Sequence, residues 1–432
     1  MKRIRDILTH PERVALKQVL HTSSVSRSIR KHHCRIIKKL RTGEPLHVLF
    51  LVQFPEMWNS EKALFEELQR DSRFRTTLLC VPKYRELNQS GNVYEEENCV
   101  LDFLNEKGYD AMDARNGGSW VDIKSLKPDY IFLQRPYSSH LPKDYQFKTL
   151  RRYGLLCYVP YNGRFNIGVY LKVEFNQEFL KYFYAFFADC IESYRYVKDW
   201  VDARGFDGWK MIYNLGYPRY DMIRREKEKV PGKTTFLWLP RWSLGEHGEQ
   251  DNKSHFLEYV EPMLEYFSAH SELELIIRPH PLMFMNFINK KVMTQAEVDD
   301  LKLKVQALPN VRFDENADYL ETIDDTDVLI SDASSLVTEF FYTLRPIIYC
   351  DELSDATRNA WIMHESFYKA GSFKEIEKAM EQILDNDPKK ACREDSLRRL
   401  GTYKENAAKN IKDALISDEE LKKVPYSLWG EY

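Results

Sequence analysis

The chain has 432 residues, 43% hydrophobic and 30% charged, which suits two or three folded domains and excludes a disordered chain. Its seven cysteines (Cys34, Cys80, Cys99, Cys157, Cys190, Cys350 and Cys392) are scattered and form no Cys-x-x-Cys pair, arguing against a disulfide framework or zinc site and for a reducing compartment. No run approaches the roughly 18 apolar residues that span a bilayer, and the N-terminus lacks a signal-peptide core, so a cytoplasmic protein is expected.

The net charge of -3 is unevenly spread: residues 1–41 hold twelve Lys and Arg against only Asp6 and Glu12. Leu8, Val14, Leu16, Leu20, Ile29, Ile36, Ile37 and Leu40 interleave with the basic residues. That pattern predicts amphipathic helices on an anionic membrane surface, peripheral on the inner face of the cell membrane. The alternative is a helical extension packed on the main body. Nucleic acid is set aside as a partner, because the rest of the chain is acidic and carries no recognition module. Thr42-Gly43-Glu44-Pro45 ends this extension, read as residues 1–44.

Residues 47–53 then form a short apolar run bounded by turn residues, a buried strand. A helix is expected over 60–70, a strand over 76–81, a helix over 95–107, and strands over 129–134 and 155–159. After Asp221 a charged stretch with Pro231-Gly232 marks a boundary. A second series of β-rich runs follows at 235–239, 273–277, 311–313, 327–330 and 346–349, most of them separated by helical segments. Alternation of this kind predicts parallel sheets covered by helices on both faces. The chain thus reads as two Rossmann-like α/β domains, 45–222 and 223–415, with a C-terminal tail over 416–432.

In such sheets ligands bind beyond the carboxyl ends of the strands. Arg278-Pro279-His280-Pro281 follows one strand, and the prolines make a rigid turn that fixes Arg278 and His280. Arg offers a planar fork for phosphate, and His a donor or proton carrier; a structural histidine in a proline-rich loop is the plainer reading. Ser331-Asp332-Ala333-Ser334-Ser335 follows another strand and opens a helix, where free amides and hydroxyls suit an anion or simple capping. Glu339 lies four residues past Ser335, placed for ribose hydroxyls or for a solvated face. Leu239-Pro240-Arg241-Trp242-Ser243 ends the first strand of the second half, so Arg241 or Ser243 could face the same cleft. Asn214 to Asp221, with Gly216 and Arg219, ends the first half. Asp324-Asp325-Thr326-Asp327 precedes a strand and is read as a solvated turn rather than a metal site. No Gly-x-Gly-x-x-Gly, Walker or Gly-x-Ser-x-Gly motif is present, which lowers NAD enzymes, P-loop ATPases and α/β hydrolases.

Together, Gly216-Tyr-Pro-Arg-Tyr-Asp221, Leu239-Pro-Arg-Trp242, Arg278-Pro-His-Pro281, Ser331-Asp-Ala-Ser-Ser335 with Glu339, and Arg345-Pro-Ile-Ile-Tyr349 resemble the CDP-glycerol glycerophosphotransferase family of teichoic acid and capsule polymer synthesis. The resemblance covers residues 200–390 well and 45–200 loosely. It implies a GT-B-type fold whose C-terminal half holds a cytidine-nucleotide donor, with no cofactor and no metal. It implies catalytic contacts from His280 and Arg278 to the donor diphosphate, phosphate binding by Ser334 and Ser335, and placement of the ribose or activated group by Asp332 and Glu339. Arg241, Ser243, Gly216 and Arg219 complete the expected donor-binding set. Family members carry a Trp-His-Gly segment whose His is a candidate general base; the matching stretch here, Tyr158 to Gly163, has no His. The base is left open among His140, His255 and a carboxylate. The expected activity moves a glycerol-phosphate or related alditol-phosphate group from a CDP-activated donor to a hydroxyl of a cell-surface polymer or lipid-linked acceptor, releasing CMP. The alternatives are a GT-B glycosyltransferase using a CMP- or UDP-sugar and a non-catalytic nucleotide-binding module.

Overall fold

The computed structural model describes residues 10–86, 92–94, 97–116, 118–138, 141–161, 177–204, 206, 210–224, 232–244, 253–316, 318–351, 358–400 and 404–417. These residues divide into two compact units. The first draws on Met1–Asn162, Val169–Asp221 and Lys404–Tyr432, and the second on Met222–Tyr403.

The first unit is built on β1 (Leu46–Val52), β2 (Phe74–Cys80), β3 (Ala111–Asp113), β4 (Tyr130–Leu133), β5 (Leu155–Tyr158), β6 (Ala185–Phe187) and β7 (Met211–Tyr213). They form one seven-stranded sheet in the order β7-β6-β5-β4-β1-β2-β3, and every pairing is parallel. All seven residues of β1 are buried, as in a central parallel strand covered on both faces. The chain runs outward on one side of β1 as far as β3, then returns to its other side with β4. The switch point of this sheet therefore lies between β1 and β4.

The second unit repeats the plan with β8 (Thr234–Leu239), β9 (Leu273–Ile277), β10 (Val311–Phe313), β11 (Val328–Ser331), β12 (Ile347–Tyr349) and β13 (Tyr368–Lys369). Their order is β10-β9-β8-β11-β12-β13, again all parallel. Its switch point lies between β8 and β11. The longest helix over this sheet, Phe256–Ala269, buries Phe256, Tyr259, Val260, Met263, Leu264 and Phe267, a stripe at the 3.6-residue period. The expected strands are all present. The sequence missed β3, β6, β7 and β13, which have only two or three residues and so show no periodicity of their own.

An aspartate locks the amino edge of each sheet. In the first unit Asp129 N–H donates to His47 O at 2.8 Å, and His47 N–H donates to Asp129 Oδ2 at 2.8 Å. In the second, Asp327 N–H donates to Thr235 O at 2.7 Å, and Thr235 N–H to Asp327 Oδ2 at 2.8 Å. The acidic run at 324–327 thus lies at the amino end of β11, and Asp327 fixes the register of β8 against it.

Asp129 is fully buried, and its counter-charges come from the basic extension. That extension is one helix, α1 (His10–Thr42). Arg35 Nε bonds Asp129 Oδ1 at 2.8 Å and Lys39 Nζ bonds Oδ2 at 2.7 Å. Ser28 Oγ donates to Arg151 O at 2.7 Å. Val25, Ile29 and Ile36 are buried beneath the helix. The sequence pattern allows this apolar stripe either a membrane or the main body as its cover. The structure decides between them from Val25 onward, because the stripe packs on the protein itself. The opposite face shows Arg27, Lys31, Cys34, Lys38 and Arg41 exposed at helical spacing.

The chain passes from the first unit to the second between Asp221 and Met222 and returns to the first at Lys404. The last helix, α2 (Ala407–Ile416), belongs to the first unit. Tyr130 Oη donates to Leu415 O at 2.9 Å, and Lys412 pairs with Glu67. Asp221 caps the helix, accepting from Ala407 N at 3.0 Å and Ala408 N at 2.7 Å.

One buried group makes this fold pH-sensitive. Glu61, which follows the turn Pro55–Ser60 after β1, is fully buried. Neither of its carboxyl oxygens has a hydrogen-bond partner among the described residues. Burial pushes its pKa from 4.5 up to about 8. The folded state therefore holds a proton that the unfolded chain releases, so stability falls as pH rises from about 4.5 toward about 8. Glu61→Gln should remove that contribution. Urea midpoints measured from pH 5 to 8 should fall less steeply in the variant than in the parent, and equal slopes would mean that Glu61 does not titrate in this window.

Candidate functional site

The second sheet brings the sequence-selected residues together at its switch point. Asp332 follows β11 and is fully buried. Its Oδ2 accepts from Arg241 N at 2.9 Å and His255 N at 3.3 Å, and its Oδ1 lies 2.8 Å from His255 Nδ1. One carboxylate thereby ties the loop after β8 and the start of helix Phe256–Ala269 to the end of β11. It serves as a pivot. The expected direct contact between Asp332 and the donor is corrected, because no part of this side chain reaches solvent.

The Asp332 contact sets the chemistry of His255. A carboxylate only accepts, so Nδ1 carries the proton and Nε2 presents a lone pair. The ring stacks on Tyr259, centroids 5.3 Å apart. The hydrogen bond to Asp332 raises the His255 pKa above the usual histidine value, against the opposing effect of burial.

Arg241 extends from the same loop. Its Nε donates to Ser243 Oγ at 2.8 Å and its Nη1 to Ala333 O at 3.3 Å. No carboxylate pairs with it among the described residues, so its charge is available to an anion. His280 is exposed, and its Nδ1 accepts from Leu282 N–H at 3.2 Å. The ring proton is then on Nε2. Desolvation of the ring and the nearby Arg241 charge both lower its pKa. At neutral pH His280 is an uncharged hydrogen-bond donor rather than a base. Ser334 Oγ accepts from Leu336 N at 3.3 Å, and Ser335 is exposed beside it.

Four other predicted residues are engaged elsewhere. Both sides of the Arg278 fork are taken, by Asp314 Oδ2 at 2.7 Å and Asn316 O at 2.6 Å, so Arg278 stiffens the Pro279–Pro281 turn. Glu339 is fully buried and accepts from Tyr319 Oη at 2.5 Å, which removes it from any surface a ribose could meet. Gly216 and Arg219 lie in the first unit. Gly216 has φ +93, and a Cβ there would sit 2.7 Å from Lys404 O. Arg219 Nη1 donates to Tyr161 O at 2.7 Å. Gly216 thus lets the C-terminal segment pack closely on the first unit, and Arg219 ties its own loop to the end of the stretch after β5.

His255 was one of three possible bases, with nothing in its neighbours to separate it from the others. Its pairing with Asp332 spans 77 positions and leaves no local signature. His140 lies outside the described residues, as do positions 162 and 163 of the Tyr158–Gly163 stretch.

The two-sheet architecture is shared with solved structures of low sequence identity. A putative UDP-N-acetylglucosamine 2-epimerase from Listeria monocytogenes superposes with TM-score 0.55 at 13% identity, covering 88% of this chain and 98% of that one. UDP-GlcNAc 2-epimerase from Neisseria meningitidis gives 0.55 at 11%, covering 86% and 100%. The wall teichoic acid polymerase TagF gives 0.54 at 13%, covering 91% and 98%. At these identities the likeness shows the fold alone, a GT-B-type pair of Rossmann-like domains. No curated protein matches the sequence. A family model does match residues 193–399, the stretch that contains Arg241, Ser243, His255, His280 and the Asp332 pivot. Over that stretch the chain is similar to the family described as CDP-Glycerol:Poly(glycerophosphate) glycerophosphotransferase.

Proposed function

We propose that the protein transfers a glycerol-phosphate or related alditol-phosphate group from a CDP-activated donor to a hydroxyl of a cell-surface polymer or lipid-linked acceptor, releasing CMP. The observation that supports this reading is the cluster at the switch point of the family-matched sheet: Arg241, with no carboxylate partner among the described residues, and His255 with raised basicity, both tied to Asp332, beside the neutral donor His280.

In this reading the acceptor oxygen attacks the alditol-bearing phosphorus. The bond from that phosphorus to the oxygen bridging the two phosphates breaks, and CMP leaves with the electron pair. Charge on the phosphate oxygens is met by Arg241 and by the Nε2–H of His280, with hydroxyls from Ser334 and Ser335 alongside. His255 Nε2 takes the acceptor proton, and Asp332 stabilises the imidazolium that results. Arg278 acts through the His280 turn and not on the donor.

Donor preference tests the reaction class. CMP release should be seen with CDP-glycerol or CDP-ribitol and a lipid-linked acceptor, and not with CMP-sugars. UDP release from a UDP-sugar, or CMP release from a CMP-sugar alone, would replace this reading with glycosyl transfer.

The two histidines should fail differently. His280→Ala should lower turnover by about 10²-fold or more, the scale of a lost transition-state donor. As a base His255 works only when neutral, and its raised pKa places the rising limb of the rate above the usual pH 6.5 of histidine. His255→Gln should lose most of the rate and that limb together. A parent-like pH profile in the variant would remove His255 from the proton path.

We also propose that the exposed face of α1 holds the protein against an anionic membrane through Arg27, Lys31, Lys38 and Arg41. These cations sit opposite the packed face, so they can be changed without disturbing Arg35 or Lys39. Replacing all four with Glu should abolish co-sedimentation with phosphatidylglycerol vesicles and leave CDP-glycerol binding intact. Unchanged sedimentation would count against the arm as a membrane contact.

A further inference from the structure

An exposed aromatic ring at the switch point of the second sheet carries no role in the transfer described above. Trp242 stands between Arg241 and Ser243 in the loop after β8 and is 37% exposed. Indole is the largest apolar side chain, and a folded chain ordinarily buries most of it. Here the backbone leaves it little freedom, because three successive residues of the loop are pinned. Arg241 N–H donates to Asp332 Oδ2 at 2.9 Å, Asn286 Nδ2 donates to Trp242 O at 2.9 Å, and Ser254 N–H donates to Ser243 O at 2.7 Å. The loop that presents the indole is thus fixed by the same bond that places Arg241.

Trp242 lies against the proposed phosphate contacts. Its ring centroid is 5.9 Å from that of His280, with the planes tilted by 37°. Asn286 belongs to the helix Met283–Asn289 and brings that helix up to the loop. The helix and the turn before it expose two more large apolar side chains, Leu282 at 42% and Met285 at 54%. A single exposed hydrophobic residue needs no explanation. Here a loop and a turn tied together by Asn286 carry three, beside Arg241 and the uncharged His280. Apolar walls around a few placed polar groups are what a small-molecule site offers.

The ligand chemistry follows from what the donor contains. A CDP-alditol has a diphosphate, a ribose, a flexible polyol and one flat ring with an apolar face, the cytosine. An alditol-phosphate acceptor has no such ring. A nucleobase stacks on an indole face, whereas a charged phosphate keeps to hydrogen-bond donors and cations. We infer that Trp242 is the platform for the donor's base, from which the diphosphate runs to His280 and Arg241. The inference rests on the proposed transfer for the identity of the donor and places the half of the nucleotide that the phosphate contacts leave unheld. Every nucleobase has a π-face, so the platform supplies affinity for a base and not the choice of cytosine over uracil.

The full chain is titrated by calorimetry with CDP and separately with pyrophosphate, which has two phosphates and no base. Trp242→Leu should weaken CDP binding by about five- to a hundredfold, the loss of one base–aromatic stack. Pyrophosphate affinity should stay within about twofold, which separates this loss from a disturbance of His280 or Arg241. Trp242→Phe should recover part of the CDP affinity, since it restores a smaller ring face. UDP should depend on Trp242 as CDP does. An unchanged CDP affinity in Trp242→Leu overturns the inference, as does an equal loss for CDP and pyrophosphate. Loss of phosphatidylglycerol vesicle binding with CDP affinity unchanged overturns it too, and gives the ring to the bilayer. Should the variant not fold, equal affinity of the parent for CDP and pyrophosphate overturns it directly. CMP release from CDP-glycerol by a protein whose CDP affinity does not depend on Trp242 removes the platform and leaves the reaction standing. Trp242-dependent CDP binding without CMP release from CDP-glycerol or CDP-ribitol does the reverse.

Discussion

The contact on which the second unit's chemistry depends is the buried carboxylate of Asp332. It has no exposure to solvent and three bonds to make, and all three go to groups on other elements. A buried charge of this kind is stable only when fully bonded. That requirement forces the loop after β8 and the start of the next helix into one arrangement. Arg241 and His255 inherit their positions from it. His255 also inherits its tautomer and its basicity. A residue that touches no ligand thereby governs two that can.

The sheets were legible because their central strands are long and apolar on both faces. Leu46–Val52 and Thr234–Leu239 leave no competing reading once turn residues bound them. The carboxyl-edge motifs were legible because strand ends are where such folds bind ligands, and His280, Arg241, Ser243, Ser334 and Ser335 did come together there. What the sequence could not show was which polar groups turn inward. Glu339 and Arg278 have the residue types of a binding site, yet Tyr319 and Asp314 take them, partners 20 and 36 positions away. Gly216 and Arg219 show a related ambiguity. Their motif is rigid because the far end of the chain packs on it, and rigidity looks the same in a sequence whether it serves a ligand or a helix.

The basic arm shows how charge and pattern can be read correctly in part. Its excess of Lys and Arg is real, but two of them answer Asp129 at the amino edge of the first sheet. Amphipathic spacing says that a helix has an apolar face; it does not say what lies under that face. Here the protein covers it, leaving a row of cations outward. The same aspartate device recurs at Asp327, which accepts from the backbone N–H of Thr235, so the two halves share a lock.

The return of helix Ala407–Ile416 to the first unit has a kinetic side. Lys412 and Glu67 are 345 residues apart, and a ribosome adding about 5–20 residues per second needs on the order of tens of seconds to supply the second after the first. Once the last strand of the first sheet, Met211–Tyr213, has been made, the surface of the helix at Lys62–Gln69 still waits for its cover. The second unit, whose described residues all lie between Met222 and Tyr403, can close before it. The half of the protein that is synthesised first is therefore the half that finishes last, and its exposed apolar surface is the one a chaperone would meet during synthesis.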